Sequence, residues 1–214
     1  MPVKLYSRVD EDTSIGLWEI TESEEHLLSG ISLSGNDKER LEGFRASARK
    51  KQWLAYRQLL SYMLGMPNLS LHYDTHGKPY ISDSDLHLSV SHSGDYAAVI
   101  TCSKGPAGID IEKVSHRVLK VEDRFLSDIE KINPDDSDRM DKLCIYWCAK
   151  EALFKLHGRR ELDFKKHLFI EQFDVGDKEP LFGSIIKEGF KRNYQLNQLK
   201  INDYYLVYVT GQME

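Results

Sequence analysis

The sequence predicts an α+β fold in two lobes, each made of short strands around one main helix. Two observations carry this. One long helical stripe stands in each half, and the segments around them read as short alternating strands without sustained βαβ succession. The clearest punctuation, Gly105-Pro106-Ala107-Gly108, falls between the stripes, so lobes are expected at residues 1–106 and 107–214.

In the first lobe, Val3 to Val9 suits a strand, and a polar stretch rich in Asp, Glu and Ser follows. From Ser47 to Leu64, Trp53, Tyr56, Leu60, Met63 and Leu64 form one apolar stripe, which Gly65 and Pro67 end. Leu69 to Tyr73 alternates like a strand, and His76-Gly77-Lys78-Pro79 reads as a turn. Leu86 to His92 and Tyr96 to Cys102 flank the Gly94-Asp95 turn as a hairpin. In the second lobe, Ile109 to Glu112 is a strand, and Ser127 to Glu130 has capping-box spacing that predicts a helix start. A long helix follows from Asp138 to Leu156, closed by Gly158. The tail reads as short strands, with Tyr204 to Thr210 the strongest.

Composition narrows the function. A net charge of −5 argues against general nucleic-acid binding. Between Lys38 and Arg57, however, seven basic residues face only Glu39 and Glu42, which suits a small anionic ligand. No apolar run approaches the roughly 20 residues of a membrane helix, and Met1-Pro2-Val3-Lys4-Leu5 lacks a signal-peptide core. Cys102, Cys144 and Cys148 form no CxxC pair, so a reducing cytoplasm is expected, with Cys144 and Cys148 as small core residues.

Four features carry chemistry. Asp110 and Glu112, two apart on a strand, leave the same face and can grip one hard cation, although a half-exposed strand alternates in the same way. Glu151 falls on the apolar spacing of Met140, Leu143, Cys144, Trp147 and Phe154, so it needs a cation or a donor. Lys155, four residues on, can serve as an intrahelical partner or face phosphate. His92, at a strand end beside Ser91 and Ser93, can donate to a phosphate or be a plain hairpin-end residue; no G-x-S-x-G elbow or P-loop is present. Arg49, Lys50 and Arg57 present a basic helix face, solvated or phosphate-binding.

Taken together, Gly77-Lys78-Pro79, Ser91-His92-Ser93, Gly108-Ile109-Asp110-Ile111-Glu112 and Trp147-Cys148-Ala149-Lys150-Glu151-Ala152-Leu153-Phe154-Lys155 resemble, in order, the signatures of the phosphopantetheinyl transferase family of the larger, two-lobed Sfp type. Lys51 to Arg57 also looks like that family's basic helix. The resemblance implies two similar lobes related by a pseudo-twofold axis, with coenzyme A bound between them. It implies Mg²⁺ on Asp110, Glu112 and Glu151. It also implies coenzyme contacts from Lys78, Ser91, His92, Asp110 and Lys155, with Arg49, Lys50 and Arg57 as looser matches. Glu151 and Lys155 would be catalytic, and the substrate would be a serine of an apo acyl or peptidyl carrier protein. A monomer is expected. The alternatives are a Mg²⁺-dependent transferase for another nucleotide, or a module that binds coenzyme A or a carrier without chemistry.

Overall fold

The computed structural model describes residues 2–67, 69–159, 161–176 and 179–211. The chain divides into two compact units, Met1–Lys104 and Gly105–Glu214. Both are α+β, each an antiparallel sheet carrying one long helix.

The N-terminal unit runs β1 (Val3–Arg8), β2 (Thr13–Glu19), α1 (Glu24–Ser29), α2 (Gly35–Glu42), α3 (Ser47–Leu64), β3 (Leu71–Tyr73), β4 (Pro79–Ile81), β5 (His87–Ser93) and β6 (Tyr96–Cys102). Its main sheet has the order β1-β2-β6-β5, and β3 pairs with β4 as a separate hairpin. Helix α3 buries Trp53, Leu54, Tyr56, Leu59 and Leu60. It ends at Gly65, whose φ of 65° is a left-handed cap that other residues rarely adopt. The polar stretch after β1 holds more structure than its composition suggests. In β2 nearly every residue is buried, so the strand shows no alternation. Helices α1 and α2 are short and rest on caps, Ser23 for one and a reciprocal Ser34–Asp37 pair for the other.

The C-terminal unit runs β7 (Ala107–Lys113), α4 (Glu122–Phe125), α5 (Arg139–His157), β8 (Leu168–Ile170), β9 (Leu181–Lys187), β10 (Phe190–Ile201) and β11 (Tyr204–Thr210), with the sheet ordered β7-β11-β10-β9-β8. Helix α5 is buried on several sides, by Leu143, Ile145, Cys148, Ala149, Leu153 and Leu156 among others. Its cap Gly158 has φ 75°. Two expectations need correction. The Ser127–Glu130 capping box forms but opens only a 3-10 turn, Asp128–Glu130; the chain leaves the helical region at Lys131, where ψ is 132°. The tail is not all short strands, because β10 is 12 residues long and pairs along its length with β9 and β11. Among the described residues, no helix is long and apolar enough to cross a membrane.

Candidate functional site

In the C-terminal unit the site begins with a glycine. A Cβ on Gly108 would lie 1.9 Å from the carbonyl oxygen of Ala152 and 2.8 Å from the amide of Leu156. The backbone of α5 therefore rests directly on β7, and no side chain fits at 108 without pushing the helix away. Two residues along β7, Asp110 shares the face of Gly108, as alternation requires. It is 3% exposed, and Lys155 Nζ donates to its Oδ1 at 2.6 Å and to Ile109 O at 3.1 Å. Lys155 thus reaches across to the strand. Glu112 is half-buried on the same face, and its carbonyl accepts from Cys144 Sγ at 3.7 Å.

Glu151, one turn before Lys155, accepts no hydrogen bond from the described residues. Burial pushes its pKa from 4.5 up to about 7; the charges of Asp110 and Glu112 push the same way, and Lys155 opposes them. It lies with Trp147 and Phe154 on the half-buried side of α5, rather than amid the fully buried face that Leu143, Ala149 and Leu153 supply. Trp147 and Phe154 lean on Phe164, with ring centroids 5.6 and 5.2 Å away. The free thiols of Cys144 and Cys148 are core residues.

Next to Glu151 in sequence stands a residue that motif reading left without a role. Lys150 is fully buried and donates to Phe125 O at 2.6 Å, Glu130 Oε2 at 2.6 Å and Phe164 O at 3.1 Å. Glu130 in turn accepts from Ser127 N, Ser127 Oγ and Ile170 N. This knot ties the loops on either side of α5 to the helix.

In the N-terminal unit, the basic helix face is not a solvated one. Arg57 is 2% exposed. Its Nη2 donates to Asp37 Oδ2 at 2.9 Å, and its guanidinium lies 4.5 Å from the Trp53 ring centroid. Its Nε and Nη1, and Nη1 of Arg49, are buried with no hydrogen-bond partner among the described residues. Arg49 lies over Phe44 and Arg40 over Tyr73, and the Tyr73 hydroxyl joins Trp53 Nε1 and Tyr56 Oη at 3.0 and 2.6 Å. Burial, with Arg40 adding to it, lowers the pKa of Arg49. Lys50 turns elsewhere, 3.6 Å from Glu24. Arg40, counted in the local excess of basic residues, and Asp37, which no sequence signal marked, both lie on α2 and belong to this cluster.

Gln52 Nε2 donates to Gly94 O at 3.0 Å, which holds the first turns of α3 beside the β5–β6 turn. His92, half-buried, and Ser91, buried, lie on β5 two to three residues before that turn. Lys78 follows a loop wrapped around Asp74, whose Oδ1 accepts the amides of His76 and Lys78 at 2.8 Å each. Burial lowers the pKa of Lys78, and Asp74 opposes that shift.

The C-terminal cluster is chemically legible. An acid whose burial raises its pKa to about 7 stands beside a lysine–aspartate pair, which marks this cluster as a candidate functional site. A sequence model of the 4'-phosphopantetheinyl transferase superfamily matches residues 106–209, the part that carries this cluster. The chain is 28% identical over 152 residues to 4'-phosphopantetheinyl transferase gsp of Aneurinibacillus migulanus, covering 64% of this chain and 62% of that one. It is 31% identical over 102 residues to 4'-phosphopantetheinyl transferase Sfp of Bacillus subtilis (strain 168), covering 46% and 45%. It is 31% identical over 121 residues to 4'-phosphopantetheinyl transferase AcpT of Escherichia coli (strain K12), covering 51% and 59%. It thus spans about half to three fifths of the length of these relatives. The matched part of the chain is thus similar to the 4'-phosphopantetheinyl transferase superfamily.

Proposed function

We propose that this protein transfers the 4′-phosphopantetheine arm of coenzyme A to a serine of an apo carrier protein, with Mg²⁺, and releases 3′,5′-ADP. The observation that carries the reading is the arrangement of β7 and α5, with Asp110 on Lys155 at 2.6 Å and Glu151 held near pH 7 beside them. Coenzyme A has two anionic centres, a 3′-phosphate and a pyrophosphate. Each unit offers chemistry for anions: the partnerless donors of Arg49 and Arg57 in one, and Lys155 with the carboxylates in the other.

Among the described residues, no three His, Cys, Asp or Glu side chains stand close enough together to enclose an ion as they lie. The donor chemistry fits a hard cation nonetheless. Asp110, Glu112 and Glu151 are all oxygen ligands, the charges of Asp110 and Glu112 raise the cost of ionising Glu151, and the Lys155 ammonium stands against Asp110 as a metal cation would. These three would hold Mg²⁺, which when bound would neutralise pyrophosphate charge.

The chain's own groups do the rest. Lys155 offsets charge on the phosphates as the carrier serine attacks the pantetheine-side phosphorus. Glu151, directly or through a water, takes the serine proton. Trp147, Phe154 and Phe164 offer an apolar surface beside it for the pantetheine chain. The carrier is expected to meet the exposed basic residues after β7, namely His116, Arg117, Lys120 and Arg124. The three buried free thiols suit a reducing cytoplasm.

The test is direct. The protein, coenzyme A, Mg²⁺ and an apo carrier are incubated and the carrier is weighed by mass spectrometry. A phosphopantetheine-sized gain is expected, and Asp110→Ala and Glu112→Ala should each remove most of it in protein that stays folded. Near-normal turnover in Asp110→Ala would overturn the metal assignment, and no mass gain on any carrier class would overturn the reaction.

A further inference from the structure

Asp141, Cys144, Cys148, Glu151 and Lys155 follow one stripe along α5, at alternating steps of three and four residues. At its C-terminal end Lys155 holds Asp110. At its N-terminal end Asp141, Cys144 and Cys148 grip a single rung of the sheet. That rung is Glu112 of β7 and Tyr205 of β11, which lie directly opposite each other. Cys144 Sγ donates to the Glu112 carbonyl at 3.7 Å, and Cys148 Sγ donates to the Tyr205 carbonyl at 3.6 Å. The Tyr205 hydroxyl donates to Asp141 Oδ1 at 2.6 Å. Lys200 of β10, opposite Tyr205 on its other side, donates to the same oxygen at 2.7 Å.

The thiols are weak donors, so the hydroxyl is the strong link of this clamp. Tyr205 is 3% exposed. Burial, and after it the bond to Asp141, push its pKa up to about 12, so it keeps its proton and donates. Directly opposite residues of an antiparallel pair point to the same side of the sheet, with Cβ atoms ~4.5–5.5 Å apart. One rung therefore carries a carboxylate of the candidate site on β7 and the anchor of the helix on β11. Glu151 stands on the stripe between the clamp and Lys155, and accepts no hydrogen bond of its own among the described residues. Its place near Asp110 and Glu112 depends on where α5 sits along the sheet. A slip of one residue moves a helix by ~1.5 Å. Misplacement by about 1 Å is enough to cost a site most of its rate.

We propose that Tyr205 and Asp141 are positioning residues of the transferase site: their hydrogen bond fixes α5 on the Glu112 rung and so sets Glu151 against Asp110 and Glu112. The proposal rests on the reading that these three carboxylates hold Mg²⁺. Tyr205 and Asp141 act through Glu112 and Glu151 and touch no reacting group. Lys200 is not required, because the Tyr205–Asp141 bond stands without it.

Two readouts separate the clamp from the metal. The first is labelling of the buried thiols by iodoacetamide, located by mass spectrometry. Tyr205→Phe keeps the ring and loses the bond. In it Cys144 and Cys148 should label roughly fivefold faster, the worth of one hydrogen bond, while Cys102 of the N-terminal unit keeps its rate. The second is the dissociation constant of Mn²⁺, followed by electron paramagnetic resonance with coenzyme A present. It should rise roughly fivefold in Tyr205→Phe and in Asp141→Ala. Asp141→Asn keeps an oxygen for the hydroxyl and should stay within about twofold of the parent. Lys200→Met should bind Mn²⁺ like the parent. A lower melting temperature with unchanged Mn²⁺ affinity in Tyr205→Phe would make the pair merely structural and overturn the proposal. A loss in Lys200→Met as large as in Tyr205→Phe would overturn it too. A parent that takes up no Mn²⁺ would bring down the metal assignment and the proposal with it, even where the thiols still report the clamp.

Discussion

Lys150 in the C-terminal unit and Arg57 in the N-terminal unit are both buried cations, yet their surroundings differ in completeness. Lys150 has three N–H donors and three acceptors, two carbonyls and the Glu130 carboxylate. Arg57 has five donors; Asp37 takes one, and Nε and Nη1 are left without acceptors. The Asp37 oxygen it uses is also spent on the N-cap of α2, where Ser34 N and Oγ donate to it. The first arrangement is closed and needs nothing more. The second is open, and an oxyanion would complete it. Burial alone therefore does not separate the two cations; the count of satisfied donors does.

The largest effect should come from opening the closed site. Lys150→Met removes the ammonium while leaving Glu130 buried, and breaking one side of such a pair costs about 3–5 kcal/mol. Urea unfolding should show that loss, and coenzyme A affinity should fall only as far as the folded fraction does. A loss under about 1 kcal/mol would mean that the knot is not the brace described.

Arg57 should show the opposite pattern. Arg57→Lys keeps a charge for Asp37 but loses the fork. If the open donors meet the 3′-phosphate, the Michaelis constant for coenzyme A should rise roughly ten- to a hundredfold. The constant for dephospho-coenzyme A should barely move, because that contact is never made there. Turnover number should change less, since the 3′-phosphate is remote from the reacting phosphorus. Equal losses on both substrates, with a fall in melting temperature, would make Arg57 a second closed site and erase the contrast with Lys150.

Much of this was legible from the chain and some was not, for identifiable reasons. Helix α3 stands where its periodicity puts it, and strands β6 and β11 were legible as apolar runs marked off by turns. Strand β2 was hidden, since a central strand buried on both faces loses its alternation. Asp110, Glu112 and Glu151 could be singled out by spacing. The partner of Lys155 could not: an i, i+4 offset suggests Glu151, but the close seat of α5 on Gly108 brings Asp110 within reach instead. Arg57 was visible as a basic residue, but its burial depends on Asp37, a residue 20 positions away on another helix. Short-range spacing carries no information on such a pairing.

Glu151 extends the comparison to a single helix, because it sits beside the closed Lys150 and is itself open. An acid whose pKa is raised on folding destabilises the folded state once it must ionise. Below the unfolded value of 4.5 both states carry the proton and nothing is lost; as pH rises from there to about 7, stability falls, and above 7 the loss is complete. Glu151→Gln should therefore stabilise the protein at pH 8 and not at pH 4. The shift bounds the gain at roughly 3 kcal/mol, but the glutamine amide also lacks partners, so the net gain should be on the order of 1 kcal/mol. The same variant should lose most transfer activity, which a merely structural residue would not combine with a gain in stability. Added Mg²⁺ should raise the melting temperature of the parent at pH 8 and leave Glu151→Gln less changed, if Glu151 helps to hold the ion. A difference between parent and variant that is flat from pH 4 to 8 would show that Glu151 ionises without penalty in the folded protein. Glu151 would then be as well satisfied as Lys150, and its role as a base poised near neutrality would fall with the contrast.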